Sequence, residues 1–372
     1  MARVVVGMSG GVDSSVAAAL LKYQGHDVIG IMLRLWSEPG DTGEDAPAQH
    51  ENKCCSLESM SDARNVAAQL DIPFYVLNVE EPFQHHIVDF FYDEYTAGRT
   101  PNPCLRCNRF IRFTLLLERA RAFGAEYLAT GHYVRLEHDA STGDKRLMRG
   151  ISDEKDQSYV LHVLSQEQLQ HAMFPLGDYS KPVVRKMAEE FGLPVARKAE
   201  SQEICFVASN DYRGFMRRYA TATGRPLPQP GEVVSENGTV LGRHNGLPFY
   251  TVGQRKGLGI AAREPLHVLK LDTTTNQVIV GPAARLDRNA FCVRDLTFTS
   301  TRPPTSPFAA EVKVRYKATP VPAVVTVLDG GHAEIALEHP LRAITPGQAA
   351  VFYCRERPDV VLGGGIITEP AA

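Results

Sequence analysis

The N-terminal part of the chain alternates between short apolar runs and longer stretches with helical spacing. Val4–Val6, Asp27–Leu33 and Ile72–Val79 are apolar runs, rich in β-branched residues, of the kind found in buried parallel strands. Helical patterns follow the first two runs, over Val16–Leu21 and from Cys54 to Leu70. Strands that alternate with helices predict an α/β fold with a parallel sheet covered on both faces.

The alternation continues through the next segment. Helical spacing covers Phe83–Thr96 and Cys107–Phe123, and the turn-forming residues Gly98–Pro103 separate the two helices. A further strand, Glu126–His132, ends in a loop. Because ligands of open parallel sheets collect beyond the carboxyl ends of the strands, we expect the strand ends to form one site.

The pattern changes to a two-residue period after Thr221–Gln229, where Gly and Pro accumulate. Short alternating runs then follow at Val233–Val234, Thr239–Leu241, His267–Leu271, Gln277–Val280, Phe291–Val293, Ala310–Tyr316, Ala323–Leu328, Ala333–Leu337 and Gln348–Tyr353. Gly, Pro and Asp turns separate these runs. This spacing predicts a small antiparallel barrel at the C-terminus, with a domain edge near the Gly/Pro-rich stretch.

The composition is typical of a soluble globular protein and does not by itself indicate a function. The 372 residues suffice for two or three domains, and 44% hydrophobic with 22% charged residues is ordinary for a soluble globular protein. The net charge of −3 provides no global basic field, so any RNA contact needs a local basic patch. We see no signal peptide and no apolar run of about 20 residues, which predicts a cytoplasmic protein without a membrane partner.

The loop after the first strand carries the strongest indication of a ligand. Gly10–Gly11 allow a tight turn with exposed N–H groups, and Asp13–Ser14 suit the first turn of a helix. A strand, a glycine turn and a helix N-terminus form an anion cradle, most naturally for phosphate. It is neither a P-loop, since no Lys occurs between Gly7 and Leu21, nor a Rossmann loop, whose glycine spacing differs.

Seven cysteines, odd in number and widely spread, make a poor disulfide framework and favour chemistry or metal binding for some of them. Cys104 and Cys107 form a C-x-x-C pair at the start of a predicted helix. Nearby Arg106 and Arg109 would favour a thiolate there. Cys205 lies in an acidic stretch, which opposes thiolate formation unless other parts of the fold compensate.

A single C-x-x-C pair leaves several interpretations open. It could be half of a zinc site, although no second pair completes one, or a thioredoxin-like pair, although the Trp-Cys-Gly-Pro context is missing. Cys104, Cys107 and Cys205 could instead hold an iron–sulfur cluster with one open iron, or be unreactive. The remaining cysteines are assigned to the structural class: Cys54, Cys55, Cys292 and Cys354.

Several motifs together resemble a known enzyme family. Ser9–Ser14, spelled Ser-Gly-Gly-Val-Asp-Ser, is similar to the PP-loop of the ATP pyrophosphatases. Asn102–Asn108, which contains Cys107, and Glu200–Phe206, which contains Cys205, add a second and a third motif. With Gly131–Tyr133, Lys155–Tyr159 and Gly253–Gly259, they resemble the tRNA-specific 2-thiouridylases nearly from end to end.

The resemblance implies an architecture and an activity. It implies a PP-loop domain over 1–212, a central tRNA-contacting domain over 213–287 and a C-terminal antiparallel β-barrel over 288–372. The implied sulfurtransferase adenylates the C2 oxygen of the wobble uridine, position 34, at the expense of ATP. Sulfur then replaces that oxygen, and AMP and pyrophosphate are released. The implied substrates are tRNAs of the Lys, Glu and Gln type.

The expected nucleotide site combines the PP-loop with two other strand ends. It comprises Gly7, Met8, Ser9, Gly10, Gly11, Val12, Asp13, Ser14, Leu33 and Gly131. Mg²⁺ is expected as the partner of ATP, with Asp13 as its candidate ligand.

The resemblance also assigns the sulfur chemistry. Cys205 would carry a persulfide supplied by a sulfur-relay protein or a cysteine desulfurase, and Cys107 would attack it and leave a Cys107–Cys205 disulfide. Some family members carry Asp where this chain has Cys104. That difference favours the alternative of a [4Fe–4S] site on Cys104, Cys107 and Cys205.

For tRNA contact we predict a set of polar residues that could position phosphates or stack on a base. The set is Lys155, Asp156, Gln157, Arg315, Tyr316 and Gln348, with Arg315 and Tyr316 on a barrel strand and His132 touching the target uridine. Judged from the residues alone, Arg255 and Lys256 in a Gly-rich loop are the better basic patch. Two competing hypotheses are a PP-loop ligase acting on a small metabolite and a non-catalytic nucleotide- or RNA-binding protein.

Overall fold

The computed structural model describes residues 1–38, 56–199, 204–207 and 210–368. The strands are β1 Arg3–Gly7, β2 Asp27–Arg34, β3 Phe74–Asn78, β4 Tyr127–Ala129, β5 Val134–His138, β6 Lys145–Arg149, β7 Ala172–Met173, β8 Gly231–Ser235, β9 Val240–His244, β10 Leu266–Asp272, β11 Gln277–Pro282, β12 Asp287–Phe298, β13 Phe308–Lys313, β14 Val321–Leu328, β15 His332–Arg342, β16 Ala349–Cys354 and β17 Val361–Ile367.

Helices cover much of the first half of the chain. The α-helices are α1 Val12–Tyr23, α2 Leu57–Gln69, α3 Glu80–Phe83, α4 Phe90–Thr96, α5 Pro103–Arg106, α6 Leu117–Ala122, α7 Ser158–Leu161, α8 Gln166–Gln170, α9 Lys181–Glu190 and α10 Tyr212–Thr223. Two π-helical stretches, Gln84–Asp89 and Cys107–Leu116, join α3 to α4 and α5 to α6. Both predicted helices of this region are therefore present, but each is wound more widely in its middle than an α-helix.

The first sheet is parallel, in the order β3-β2-β1-β4-β7. β1 is the central strand of this sheet. Its residues Val4–Val6 are fully buried, as expected for a strand with both faces of its sheet covered. Helix α2 begins at Leu57, where the Ser56 hydroxyl accepts a hydrogen bond from the Ser59 amide. Cys54 and Cys55, at which the sequence predicts the start of this helix, lie outside the described residues.

The C-terminal half contains two β structures. A four-stranded sheet has the order β10-β11-β8-β9, and six strands close a barrel in the order β12-β15-β14-β13-β16-β17. The barrel pairs are antiparallel throughout, which confirms the predicted fold class. Alternate residues such as Ala310 and Val312 point into its core.

One predicted strand is too long. The sequence pattern extends it to Tyr316, but β13 ends at Lys313 and the Ala318 amide donates to the Arg315 carbonyl in a turn. Arg315 and Tyr316 are therefore not on a barrel strand. The reason is tertiary, because the Tyr316 ring leaves the barrel to pack at 6.1 Å from the Tyr159 ring of the first domain.

Polar contacts fasten the barrel to the first domain. The buried Asp144 carboxylate, between β5 and β6, accepts hydrogen bonds from the Ser300 hydroxyl at 2.7 Å and the Thr301 amide at 2.8 Å. The Tyr159 hydroxyl donates to the Ala349 carbonyl at 2.9 Å. Because these groups are buried and paired, separating the domains would leave several of them without partners.

Across the described ranges, none of the helices combines the length and the apolar character that crossing a bilayer requires.

A buried histidine at the domain junction predicts a pH-dependent stability. His162 is 1% exposed, its Nδ1 lies 2.7 Å from the Tyr159 carbonyl oxygen, and burial lowers its pKa to about 4. The unfolded chain therefore binds a proton at this residue first as the pH falls from about 6.5. We expect its contribution to stability to be complete above pH 6.5 and to be lost toward pH 4, by on the order of 3 kcal/mol.

Chemical denaturation between pH 4 and 8 measures this effect. The free energy of unfolding of a His162→Asn variant should fall less steeply below pH 6.5 than that of the wild type. The same change at the exposed His339 is the matched control for losing a histidine. Equal slopes for wild type and His162→Asn would contradict the assignment.

Candidate active site

The loop between β1 and α1 is closed by its own serines. The Met8 amide donates to the Ile31 carbonyl at 2.8 Å, which ends the pairing of β1 with β2. The Ser9 amide donates to the Ser14 hydroxyl at 3.1 Å, and Ser14 donates to the Gly11 carbonyl at 3.3 Å. Gly11 caps α1 without a side-chain hydrogen bond, so the first amides of the helix remain available to an anion.

Two glycines allow three segments to touch at this edge. Gly10 has φ +68°, and a Cβ there would lie 2.1 Å from the Ser59 carbonyl oxygen at the start of α2. A Cβ on Gly131, after β4, would lie 2.8 Å from the Ser14 amide nitrogen. The ends of β1 and β4 and the start of α2 therefore meet at backbone contact distance.

The remaining predicted nucleotide residues differ in what they can offer. Met8 and Val12 have side chains that are almost fully buried, so only their backbone groups can meet a ligand. Gly7 ends β1 and pairs with Ile31, and Leu33 follows two residues later on β2 at the same edge of the sheet.

Asp13 has two partners that sequence analysis missed. Its Oδ1 accepts hydrogen bonds from the Tyr133 hydroxyl and from Lys181 Nζ, each at 2.6 Å. Lys181 is 8% exposed and opens α9. The loop thus has a lysine after all, but one from about 170 residues downstream in the chain, which no local motif indicates.

The two predicted catalytic cysteines share one core. An aromatic cluster fills the space between the first domain and the four-stranded sheet; it is formed by Trp36, Phe83, Phe91, Phe206, Phe215 and Tyr219. Cys107 is buried in this cluster, and the half-buried Cys205 packs against it. The structure therefore brings together two motifs that are far apart in sequence, whereas Glu200 and Glu203 beside Cys205 lie outside the described residues.

Asn102 and Pro103 stabilise the start of α5, the helix that leads into Cys107. The Asn102 side chain accepts from the Cys104 amide at 3.1 Å, and Pro103 occupies the first helical position. Cys104 itself is exposed. The Arg106 guanidinium lies 4.2 Å above the Phe90 ring, and its Nε donates to the His86 carbonyl, so it is held by the protein itself.

Three cysteines are predicted from the sequence as iron–sulfur ligands. Within the ranges that the structure describes, no group of three or more His, Cys, Asp or Glu side chains could hold a metal ion. A cluster on Cys104, Cys107 and Cys205 therefore stays a prediction from the sequence, and no step of the proposed reaction uses one.

His132, in the loop after β4, is buried and has a neutral ring. It is 9% exposed, and its Nδ1 lies 2.7 Å from the Thr130 hydroxyl. Burial, helped by Arg112, lowers the pKa of His132 to about 3. Near neutral pH it can exchange a hydrogen bond with a base but carries no charge for a phosphate.

In the Lys155–Gln157 motif, Asp156 and Gln157 make hydrogen bonds to other groups of the protein. The Asp156 carboxylate is 1% exposed and accepts from the Ser158 amide at 3.0 Å and from Arg149 Nε at 3.2 Å. Gln157 Oε1 accepts from the Tyr133 amide at 2.9 Å. Asp156 is thus suited to hold the segment in place, and the half-buried Lys155 carries the charge nearest to solvent.

The barrel residues lie on the same side as these groups. Burial raises the pKa of Tyr316, and so do the nearby Asp156 carboxylate and Cys104 thiol, so the three groups are neighbours. Arg315 is exposed beside them. Gln348 Nε2 donates to the Thr100 carbonyl at 2.8 Å, which attaches the barrel to the turn that precedes Cys104.

Comparison with known proteins identifies the family. Three family models match in succession: the tRNA methyl transferase HUP domain over residues 2–209, the tRNA methyl transferase PRC-barrel domain over 224–282 and the aminomethyltransferase beta-barrel domain over 288–367. The descriptions of these models mention methyl transfer. Similar proteins that align with nearly the whole chain are named for thiolation instead.

The tRNA-specific 2-thiouridylase MnmA of Heliobacterium modesticaldum is 49% identical and covers 98% of this chain and 92% of its own. The MnmA of Geobacter metallireducens is 50% identical and covers 98% and 96%, and that of Moorella thermoacetica is 48% identical and covers 99% of each chain. The chain belongs to the tRNA-specific 2-thiouridylase family.

Proposed function

We propose that this protein is an ATP-dependent sulfurtransferase that converts the wobble uridine of tRNA to 2-thiouridine. The observation that supports this most directly is the shared aromatic cluster, which joins Cys107 and Cys205 across a long sequence separation. A nucleotide-binding loop alone would suit many enzymes, but a loop combined with two converging cysteines suits sulfur transfer.

The first step activates an oxygen that cannot leave by itself. The C2 oxygen of uridine attacks the α-phosphorus of ATP, the bond between the α-phosphorus and the bridging oxygen breaks, and pyrophosphate departs. The free amides at the start of α1 are placed to stabilise the negative charge on the phosphates. Lys181, 2.6 Å from Asp13, adds a positive charge beside the loop.

Mg²⁺ is proposed to accompany ATP and to neutralise phosphate charge. Asp13 fits this ion only in part, because its Oδ1 already accepts from the Lys181 ammonium and the Tyr133 hydroxyl. The other carboxylate oxygen, or an exchange with Lys181, would have to serve the cation.

The second step transfers sulfur. A persulfide on Cys205 presents its terminal sulfur to C2, and the Cys107 thiolate attacks Sγ of Cys205. The Sγ–S bond breaks, its electron pair leaves with the terminal sulfur and forms the bond to C2, and AMP departs with the former C2 oxygen. The resulting Cys107–Cys205 disulfide needs an external dithiol for reduction before the next turnover.

The proposal extends to the sulfur donor and to the tRNA substrates. A cysteine desulfurase or a sulfur-relay protein would load Cys205, and tRNAs of the Lys, Glu and Gln type would be the substrates. We propose that Lys155, Gln157, Arg315 and Tyr316 contact the tRNA, that His132 meets the target base, and that Asp156 and Gln348 position these groups through their internal hydrogen bonds.

Replacing Cys205 with Ala should separate the two steps. We expect 2-thiouridine formation to fall by more than about 1,000-fold, because the sulfur-carrying group is lost. Release of pyrophosphate from ATP should persist and should still require tRNA. Nucleoside analysis and a pyrophosphate assay measure the two activities.

The half-buried Cys292, on β12 of the barrel, provides the matched control. Cys292→Ala should thiolate at the wild-type rate. Full thiolation by Cys205→Ala would refute the sulfur assignment. Pyrophosphate release that depends on an amino acid instead of tRNA would favour the ligase hypothesis.

Replacing Gly10 with Ala should damage the nucleotide step. The new Cβ would collide with the Ser59 carbonyl oxygen and force the loop away from α2. We expect the tRNA-dependent release of pyrophosphate to fall by about 100-fold, since the loss of well-placed donors has effects of this size.

Gly143→Ala is the matched control for backbone strain. Gly143 also has a positive φ, +77°, but a Cβ there meets no atom within 4 Å. If both variants lost activity equally, the effect would come from strain in general and the proposed role of the Gly10 contact would be wrong.

A further inference from the structure

The turn Gly253–Gly259 is a rigid platform. The Gly253 amide donates to the Val268 carbonyl at 2.8 Å, and the Val268 amide donates to the Gln254 carbonyl at 2.9 Å, so one end continues the edge of β10. The Gln254 side chain then spans the turn. Its Oε1 accepts from the Thr251 amide at 3.1 Å, and its Nε2 donates to the Lys256 carbonyl at 2.9 Å.

The conformation of this turn requires its glycines. Gly253, Gly257 and Gly259 have φ values of +88°, +75° and +69°, a region that other residues rarely adopt. Between them, Leu258 is 5% exposed and belongs to the aromatic cluster's core. The turn is therefore pinned by a buried side chain on one side and by backbone hydrogen bonds on the other.

The platform is attached to the cysteine site. Leu258 lies in the same buried cluster as Cys107. The Thr100 hydroxyl, in the turn before Cys104, donates to the Thr251 hydroxyl at 3.3 Å. The Thr100 carbonyl also accepts from Gln348, so the turn, the barrel and the Cys104 helix meet at one residue.

Two adjacent cations project from this platform. Arg255 and Lys256 are exposed, and in the part of the chain that the structure describes their side chains have no hydrogen-bond or ion-pair partner. Many other arginines are paired, such as Arg218 with Glu38 and Arg225 with Asp89. With a net charge of −3, the protein needs a local basic site of this kind to hold a polyanion.

We propose that Arg255 and Lys256 bind the phosphodiester backbone of the RNA substrate close to its target base. The inference rests on the proposed function, since a base can reach the cysteines only if its own backbone passes near them. Phosphate contacts of this kind position a nucleic acid without reading its sequence. A rigid turn is suited to this role because its backbone is already ordered, so that binding costs little conformational entropy there.

The salt dependence of tRNA binding tests the proposal. In an Arg255→Ala/Lys256→Ala variant, the slope of log affinity against log salt should become shallower by about 1.5, since each phosphate contact contributes roughly 0.7 to 0.9. At 0.1 M salt the affinity should fall about 10-fold or more. Arg255→Lys/Lys256→Arg, which keeps both charges, should retain the wild-type slope.

An equal loss of charge elsewhere is the control. Arg119 and Arg121 lie on α6, which precedes β4 and therefore lies at the opposite edge of the sheet. Arg119→Ala/Arg121→Ala should keep the wild-type slope. Thermal unfolding of each variant checks that the fold is intact.

An unchanged slope in the folded Arg255→Ala/Lys256→Ala variant would overturn the proposal. So would an equal change in the Arg119→Ala/Arg121→Ala control, because it would assign the effect to total charge. If the wild type binds tRNA but forms no 2-thiouridine with a loaded sulfur donor, the proposed function fails instead, and the slopes still decide the role of this turn.

Discussion

The site depends on the close approach of three backbone segments at the carboxyl edge of the first sheet. Gly10 lies against the Ser59 carbonyl, and Gly131 lies against the Ser14 amide, at distances that exclude any Cβ. These contacts hold the amide loop open toward solvent while α1 continues into a buried, apolar core. Asp13, held by Tyr133 and Lys181, fixes the same loop from its other side. The nucleotide cradle is thus a product of packing between strand ends, and its amides are in place before a ligand binds.

The second half of the chemistry depends on a core that does not belong to one domain. The aromatic cluster joins the first domain, α10 and the four-stranded sheet, with Cys107 in its interior and Cys205 packed against its surface. Gln348 and Thr251 both contact Thr100, which connects the barrel and the four-stranded sheet to the turn before Cys104. The turn that contains Thr100 therefore links the groups proposed to bind the tRNA to the cysteines proposed to carry sulfur.

The regular parts of this fold follow from periodicity in the sequence. Fully apolar runs such as Val4–Val6 predicted the parallel sheet, and two-residue alternation predicted the barrel. Errors and omissions arose where tertiary packing decides. Tyr316 continues the alternation but turns away to meet Tyr159. The sequence also gives no sign that Asp156 is buried and accepts four hydrogen bonds from the protein itself. Lys181 could not be found at all, since only the folded chain places it beside Asp13.

The central claim is that AMP is transferred to the C2 oxygen of the uridine, and isotope transfer tests it most directly. A tRNA whose target uridine carries ¹⁸O at C2 is incubated with ATP, a persulfide donor and the protein, and the released AMP is analysed by mass spectrometry. The account predicts one ¹⁸O in the phosphate of AMP for each 2-thiouridine formed, and none in pyrophosphate. Thiolation with unlabelled AMP would contradict it.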